Sequence, residues 1–253
     1  MKVIIITQNE KMFLPMVIDY FIRRIPSDIE IVGAIVLSSS PYGKRKIFLS
    51  KLFSALSIFG PFFVIRYGLI ELWRMLFDKD VVAIVRSHGI KIVRTCRFIN
   101  DSKCLSDIEK LTPDLLISIT GNQIFKKPLL DIPPLGTLNL HTALLPKYRG
   151  LMPSFWVLKN EEKETGVSVF FVDEGIDSGP IIVQKKINIE NMTQWELIRA
   201  TKFLGVEAII EALKLINSKN YSTIENDDND STYFSFPTRK DVIEFKKKGK
   251  KFF

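Results

Sequence analysis

Two short runs of β-branched residues near the amino terminus constrain the fold most strongly. The first is Val3 to Ile6, the second is Ile31 to Leu37, and a helical pattern at residues 13–24 lies between them. Continuous apolar runs of this length are typical of strands that are buried on both faces of a parallel sheet. The strand–helix–strand order therefore predicts an α/β fold with a doubly wound, mostly parallel sheet flanked by helices.

Later runs extend this pattern along the chain. Thr193 and Glu196 have the spacing of a capping box, which predicts where a long helix begins. The sequence thus predicts one domain over residues 1–217, followed by a short C-terminal extension with a basic tail over residues 218–253. The expected strands after the first two are residues 91–93, 114–119, 136–140, 167–172 and 181–187, and the long helix is residues 195–216.

Residues 46–77 form an unusual apolar insertion in this pattern. Its uncharged part, residues 52–65, is shorter than the roughly 20 residues that span a bilayer. Gly60-Pro61 interrupts it, which predicts two helices joined by a break. Three interpretations remain open: a buried helical hairpin, an interfacial element that docks on a membrane, or an apolar surface for a partner such as a second copy of the chain.

The chain has a net charge of +8, and much of the excess lies in two basic clusters, Lys44-Arg45-Lys46 and residues 246–251. Such clusters either attract phosphorylated substrates, RNA or membrane surfaces, or form a solvated tail.

The two cysteines, Cys96 and Cys104, lack CxxC spacing and a neighbouring pair of histidines, so they predict neither a zinc site nor a disulfide framework. The first apolar run is too short for a signal peptide, which makes the cytoplasm the expected location.

Three polar residues stand out as candidates for chemistry. Asn139 and His141 are two apart in a predicted strand, so their side chains point to the same face. Asp177 lies between two predicted strands, and the Ser178-Gly179 pair that follows it favours a tight backbone. Taken alone, His141 is either an inert residue at a strand end or a catalytic group.

An Asn, a His and an Asp that meet in one cleft can transfer an acyl carbon to an amine. The Asn amide and a protonated imidazole stabilise the negative charge that develops on the attacked carbonyl oxygen. The carboxylate, directly or through water, helps to remove the proton that the amine loses. The sequence has no GxSxG, P-loop or GxGxxG motif, which disfavours a hydrolase, a nucleotide phosphotransferase or a dinucleotide-dependent dehydrogenase.

Residues 139–184 resemble the folate-dependent formyltransferase family. The matching motifs are Asn-x-His, then Leu-Leu-Pro-x-Tyr-Arg-Gly, then Thr-Gly-Val, then Asp-x-Gly-x-Asp. The resemblance extends well over residues 80–215 and in outline over the first 40 residues. It implies a Rossmann-like formyltransferase fold, with Asn139, His141 and Asp177 as the catalytic residues.

The resemblance also implies N10-formyltetrahydrofolate as the co-substrate and no metal. The residues that it places at the folate pocket are Cys96, Arg97, Phe98, Ile119, Gly121, Ile124, Val172, Asp173 and Gly175. Those that it places on the side of the acceptor substrate are Lys147, Arg149, Gly150 and Ser168.

The identity of the acceptor amine depends on details of the resemblance. Methionyl-tRNA formyltransferases usually add a C-terminal barrel, and glycinamide ribonucleotide enzymes typically have Pro-Gly where this chain has Arg149-Gly150. Stand-alone sugar N-formyltransferases keep the Tyr-Arg-Gly form. We therefore expect a small-molecule amine, a nucleotide-linked amino sugar, rather than tRNA. The alternatives are methionyl-tRNA or glycinamide ribonucleotide formylation, formyltetrahydrofolate hydrolysis, and a non-catalytic binding module.

Overall fold

The computed structural model of the protein describes residues 1–38, 48–93 and 98–253. Strands and helices alternate through most of this length, as the apolar runs predict. The strands are β1 (Lys2–Gln8), β2 (Glu30–Leu37), β3 (Leu115–Ile119), β4 (Thr137–His141), β5 (Arg149–Gly150), β6 (Glu164–Phe171), β7 (Ile181–Asn188) and β8 (Tyr233–Phe234). The helices are α1 (Leu14–Arg24), α2 (Phe48–Phe59), α3 (Pro61–Phe77), α4 (Val81–Ser87), α5 (Ser102–Glu109), α6 (Lys127–Leu130), α7 (Pro153–Lys159), α8 (Gln194–Asn217) and α9 (Arg239–Lys247).

Within the described residues, six strands form one sheet in the order β2-β1-β3-β4-β6-β7. The first four strands in this order are parallel, whereas β6 and β7 pair antiparallel with their neighbours. The predicted doubly wound, mostly parallel sheet is therefore confirmed. Because β2 lies on one side of β1 and β3 on the other, the direction of winding changes between β1 and β3. The crevice at the carboxyl ends of such strands is where open α/β sheets bind ligands.

Helices cover both faces of the sheet. Neighbouring residues of β1 point to opposite faces, as the period of a strand requires. Ile5 belongs to the core cluster that contains Phe21 of α1 and Leu213 of α8. Ile4 belongs to a second cluster with Ile108 of α5. Because β1 is buried on both faces, its sequence is a continuous apolar run.

Local signals in the sequence located most element boundaries. The capping box at Thr193 and Glu196 is present at the start of α8. Residues 91–93 differ from the prediction, since Ile92 makes only an isolated parallel bridge to Ala34 rather than a strand. Cys104, which is buried in α5, is disulfide-bonded, and the spacing of the cysteines did not predict this.

The apolar insertion forms two helices, as predicted, with Gly60 between them at φ 88°. Phe59 at the end of α2 is buried and packs edge-on against Phe252. In contrast, α3 has no buried residue. The buried hairpin is therefore the wrong interpretation for α3, because only α2 and one side of α3 reach the body of the protein. None of the described helices is both long enough and apolar enough to cross a bilayer.

The described residues after α8 fold back onto the sheet domain. Tyr233 and Phe234 form β8, which pairs in parallel with β5. Thr238 caps α9 in a capping box with Asp241. Phe245 of α9 is fully buried against Phe155 of α7 at a ring-centroid distance of 4.9 Å. The C-terminal extension thus forms part of the surface that surrounds the carboxyl edge of β4.

Candidate active site

A cleft lies at the carboxyl edge of the sheet, above β3 and β4. Asn139 of β4 lines it together with Ser118, its neighbour on β3. Asp177, from the loop between β6 and β7, lines the same cleft. No described residue accepts or donates a hydrogen bond at the Asn139 side chain, so its amide is available to a ligand.

His141 is held from both sides of its ring. Its Nε2 lies 2.7 Å from the carbonyl oxygen of Tyr148. Because a carbonyl oxygen only accepts, Nε2 must carry the proton of this hydrogen bond. Its Nδ1 lies 3.5 Å from Oδ2 of Asp177, and the His141 side chain is 7% exposed. Protonation of Nδ1 therefore produces a cation that faces the Asp177 carboxylate.

Asp177 is fixed by an unusual backbone and by one main-chain donor. Its φ of 50° lies in the left-handed region, which non-glycine residues rarely adopt. Oδ2 accepts a hydrogen bond of 2.9 Å from the backbone N–H of Gly150. Gly179 is required nearby, since a Cβ there would lie 1.8 Å from the carbonyl oxygen of Phe171. The carboxylate is thus turned toward both the cleft and His141.

A side chain of the C-terminal extension braces this loop. Asn226 Nδ2 donates to the carbonyl oxygen of Asp177 at 2.9 Å and to that of Gly179 at 3.0 Å. Arg149 Nη2 donates in turn to the Asn226 carbonyl at 3.0 Å and to its Oδ1 at 2.9 Å. Arg149 Nη1 also donates to Asp228 at 2.6 Å. These five residues form a continuous network from the extension to the cleft.

The structure changes the interpretation of the residues expected on the acceptor side. Arg149 is buried and its terminal nitrogens bind Asn226 and Asp228, so it does not present its charge to the cleft. Ser168 is fully buried, donates to the Ala143 carbonyl and accepts from the Leu145 N–H. Both side chains hold the loop after β4 in place.

Gly150 and Lys147, the other two residues expected on the acceptor side, have different environments. Gly150 is at φ 94° and contributes its N–H to Asp177. A Cβ there would lie 2.3 Å from the Phe234 carbonyl oxygen, so the close pairing of β5 with β8 requires glycine. Lys147 is exposed at the surface of the same loop.

Most residues expected at the folate pocket line the cleft. Ile119 does not, because its side chain packs into the core. Phe98 is 39% exposed and lies outside the lining, while Cys96 and Arg97 lie outside the described residues. The expected residues that do line the cleft are Gly121, Ile124, Val172, Asp173 and Gly175.

Two polar groups near the cleft were not anticipated from the sequence. Lys202 of α8 donates to Thr120 Oγ1 at 3.2 Å, and desolvation of its ammonium lowers its pKa. Glu10 accepts hydrogen bonds from the N–H groups of Met12, Phe13 and Leu14, which begin α1. The carboxylate thus occupies an anion site at a helix N-terminus. The sequence signal for Lys202 was a lysine at a position of α8 where the helical pattern predicts an apolar residue.

Tyr148, whose carbonyl orients His141, also contributes its ring to the loop. Its hydroxyl donates to Glu162 at 2.6 Å, and burial together with this carboxylate raises the pKa of Tyr148 to about 12. The phenol therefore stays protonated and acts as a support. Among the described residues there is no cluster of His, Cys, Asp or Glu that could bind a metal ion.

Comparison with known proteins identifies the family. Residues 77–213 match the family model for formyl transferase. The chain belongs to the formyl transferase family. Within it, the methionyl-tRNA formyltransferase of Kosmotoga olearia is 33% identical over 171 residues, which are 67% of this chain and 55% of the relative. That of Clostridioides difficile is 40% identical over 121 residues, 47% of this chain and 39% of the relative. The chain spans about half the length of these curated relatives.

Solved structures of formyltransferases share the fold. A phosphoribosylglycinamide formyltransferase from Anaplasma phagocytophilum has a TM-score of 0.64 at 14% identity and covers 94% of this chain and 99% of its own. A sugar N-formyltransferase from Shewanella sp. FDAARGOS_354 has a TM-score of 0.61 at 17% identity, with coverages of 97% and 86%. At these identities the likeness shows the formyltransferase fold, which agrees with the family match.

Proposed function

We propose that the protein transfers the formyl group of N10-formyltetrahydrofolate to a primary amine. The observation that carries this proposal is the arrangement of Asn139 and Asp177 in one cleft, with His141 directly behind the carboxylate. Membership of the formyl transferase family supports the same reaction.

The residues divide the chemistry of one displacement among them. The amine nitrogen attacks the formyl carbon, and the carbonyl oxygen becomes an oxyanion that accepts a hydrogen bond from the free amide of Asn139. The Asp177 carboxylate takes the proton that the amine nitrogen loses. The bond from the formyl carbon to N10 then breaks, N10 takes a proton, and tetrahydrofolate leaves. No covalent intermediate with the protein is required.

His141 completes the proton transfer from behind. Its ring donates a hydrogen bond to the Tyr148 carbonyl oxygen, and this orients Nδ1 toward Asp177, 3.5 Å away. His141 Nδ1 is therefore an adjacent base that can accept a proton from the Asp177 carboxyl group. The imidazole is buried, and its hydrogen bond to the Tyr148 carbonyl oxygen holds the ring in this orientation without a ligand.

The cleft offers a suitable surface for a folate ring. A Cβ at Gly121 would lie 2.5 Å from Ser118 Oγ, so glycine allows the chain to approach Ser118 closely at this wall of the cleft. On the opposite wall Asp173 accepts hydrogen bonds from the Gly175 N–H and the Ser178 hydroxyl, which fixes the loop after β6. Backbone groups of this loop and the side chain of Val172 would contact the pterin.

For the acceptor, we propose an amino sugar linked to a nucleotide. The Tyr148-Arg149-Gly150 sequence supports this choice, as does the C-terminal extension, which pairs with Arg149-Gly150 through β8 and binds the Asp177 carbonyl through Asn226. Glu10 counts against an acceptor phosphate at the start of α1, since its carboxylate already fills that site.

Methionyl-tRNA is the second candidate acceptor. The curated relatives favour it, because methionyl-tRNA formyltransferases match this chain at 33–40% identity over up to two thirds of its length. The basic residues 246–251 provide positive charge that suits a nucleic acid.

One assay separates these acceptors. The purified protein is incubated with formyltetrahydrofolate and, separately, with nucleotide amino sugars, glycinamide ribonucleotide and methionyl-tRNA, and the products are weighed by mass spectrometry. We expect one added formyl group on an amino sugar. Formylation of methionyl-tRNA alone would replace the proposed acceptor, and formate release without any formylated product would refute transfer altogether.

A further inference from the structure

The outward face of α3 is a continuous apolar stripe. Its members are spaced three and four residues apart, so they lie on one side of the helix. They are large side chains that remain between 49% and 76% exposed: Phe62, Ile65, Leu69, Leu72, Trp73 and Leu76. Monomeric soluble proteins rarely expose contiguous apolar patches of this kind without a binding role.

A basic groove lies at the amino-terminal end of this stripe. It is lined by Phe62, Phe63 and Arg66 of α3 and by residues of the C-terminal tail, Lys246, Lys250, Lys251, Phe252 and Phe253. Phe62 therefore belongs to both surfaces, which makes the stripe and the groove continuous.

The cations of the groove lack acidic partners. Asp241 and Glu244, the acids of α9, both pair with Lys159 on α7. In the described parts of the chain no acid lies within ion-pair distance of Arg66, Lys250 or Lys251. The groove thus presents unneutralised positive charge beside exposed aromatic and aliphatic side chains.

We propose that α3 and the basic groove dock the protein on an anionic phospholipid surface. An interfacial helix inserts its apolar side at the boundary of headgroups and acyl chains, and adjacent cations bind anionic headgroups. Both elements are present here on one continuous surface. A second copy of the chain, paired helix to helix, would cover the stripe but would leave the groove cations without partners, so a lipid surface accounts for more of the observed surface.

Vesicle flotation with the full chain tests the proposal. Vesicles of phosphatidylcholine alone are compared with vesicles of equal parts phosphatidylcholine and phosphatidylglycerol, at low salt and at about 0.5 M NaCl, where charge interactions are screened. We expect the protein to float with the anionic vesicles at low salt, and to stay in solution with the neutral vesicles or at high salt.

Two variants test the two elements separately. Leu69→Glu/Leu72→Glu places charges in the stripe and should lower partitioning into anionic vesicles by more than roughly 100-fold. Lys250→Gln/Lys251→Gln should lower it roughly 25-fold, about fivefold for each lysine removed. Leu135→Glu is the matched control, since Leu135 is 40% exposed on the loop before β4, outside the stripe and the groove, and should leave partitioning unchanged.

Folding and self-association are measured on the same samples. Thermal melting by circular dichroism should match the wild-type protein for all three variants, because the substituted side chains are exposed or partly exposed. Wild-type protein that stays in solution with anionic vesicles would overturn the proposal. A wild-type dimer in sedimentation velocity that Leu69→Glu/Leu72→Glu converts to monomer, without vesicle binding, would assign the stripe to a second copy instead.

Discussion

The carboxyl edge of β4 and the outward face of α3 distribute polar and apolar groups in opposite ways. Around Asp177, buried polar groups bind other groups of the protein: Gly150, Asn226 and Arg149 fix the loop and His141 faces the carboxylate. On α3, large apolar side chains face solvent and contact little of the protein. The first region is pre-organised to act on a small ligand, whereas the second requires an external surface to bury its apolar groups.

The largest expected effect is on the catalytic side of this comparison. His141→Ala removes the base behind Asp177 and should lower kcat by about 100- to 10,000-fold, the usual contribution of a positioned acid or base. Steady-state formyl transfer measures this loss. Asp131→Asn, which alters an exposed ion pair with Lys127, is the control and should keep wild-type turnover.

Removal of the Asn226 side chain should have a smaller effect, on both kcat and the free energy of unfolding. Asn226→Ala leaves the carbonyl oxygens of Asp177 and Gly179 without their donor, so we expect kcat to fall about tenfold and unfolding free energy to fall by about 2 kcal/mol. Denaturant melts and kinetics measure these changes. Asn229→Ala, three residues away and exposed, should change neither. An equal loss in both variants would mean that the loop as a whole, and not the Asn226 amide, supports Asp177.

Substitution of Arg149 should change the free energy of unfolding more than it changes the rate of formyl transfer. Arg149→Lys keeps the charge but loses the fork that reaches Asn226 and Asp228 together, which should cost about 1–2 kcal/mol of unfolding free energy. Arg23→Lys alters an exposed pair with Asp19 and should leave the unfolding free energy close to that of the wild-type protein. A rise in KM for the acceptor without loss of stability would instead place the guanidinium on the substrate.

The smallest expected effect is on α3 itself. Leu69→Ala removes a side chain that is 63% exposed, so unfolding free energy should change by less than about 0.5 kcal/mol. The same truncation at Leu138, which is fully buried on β4, should cost about 2–5 kcal/mol. If both substitutions cost the same, α3 would be part of the core in solution.

The sequence predicted the sheet because its periodic signals are local. Apolar runs such as Ile31 to Leu37 and the capping box at Thr193 define elements without reference to distant residues. The resemblance to the family selected Asn139, and the structure places this residue in the cleft. These features were predictable because each depends on a short stretch of chain.

The remainder depends on contacts between residues that are distant in sequence. Asn226 lies in a polar run that indicates only a loop, and its role arises because the chain returns to Asp177 after 49 residues. Arg149 appeared to be a substrate ligand because its motif does not show that Asn226 and Asp228 surround it. The exposure of α3 could not be predicted from the sequence either, since a core helix and a surface helix can have the same apolar pattern.

The central claim is that the Asp177 carboxylate accepts the proton of the attacking amine, and single-turnover kinetics tests it most directly. Excess enzyme is mixed with formyltetrahydrofolate and the acceptor identified by mass spectrometry, and the product is quantified after rapid quenching for wild type and Asp177→Asn. The substitution keeps the size of the side chain and removes its negative charge. We predict that the rate of the chemical step falls at least about 100-fold while binding of the folate is retained. A rate within about threefold of wild type would contradict the assignment of Asp177 and the proposed mechanism with it.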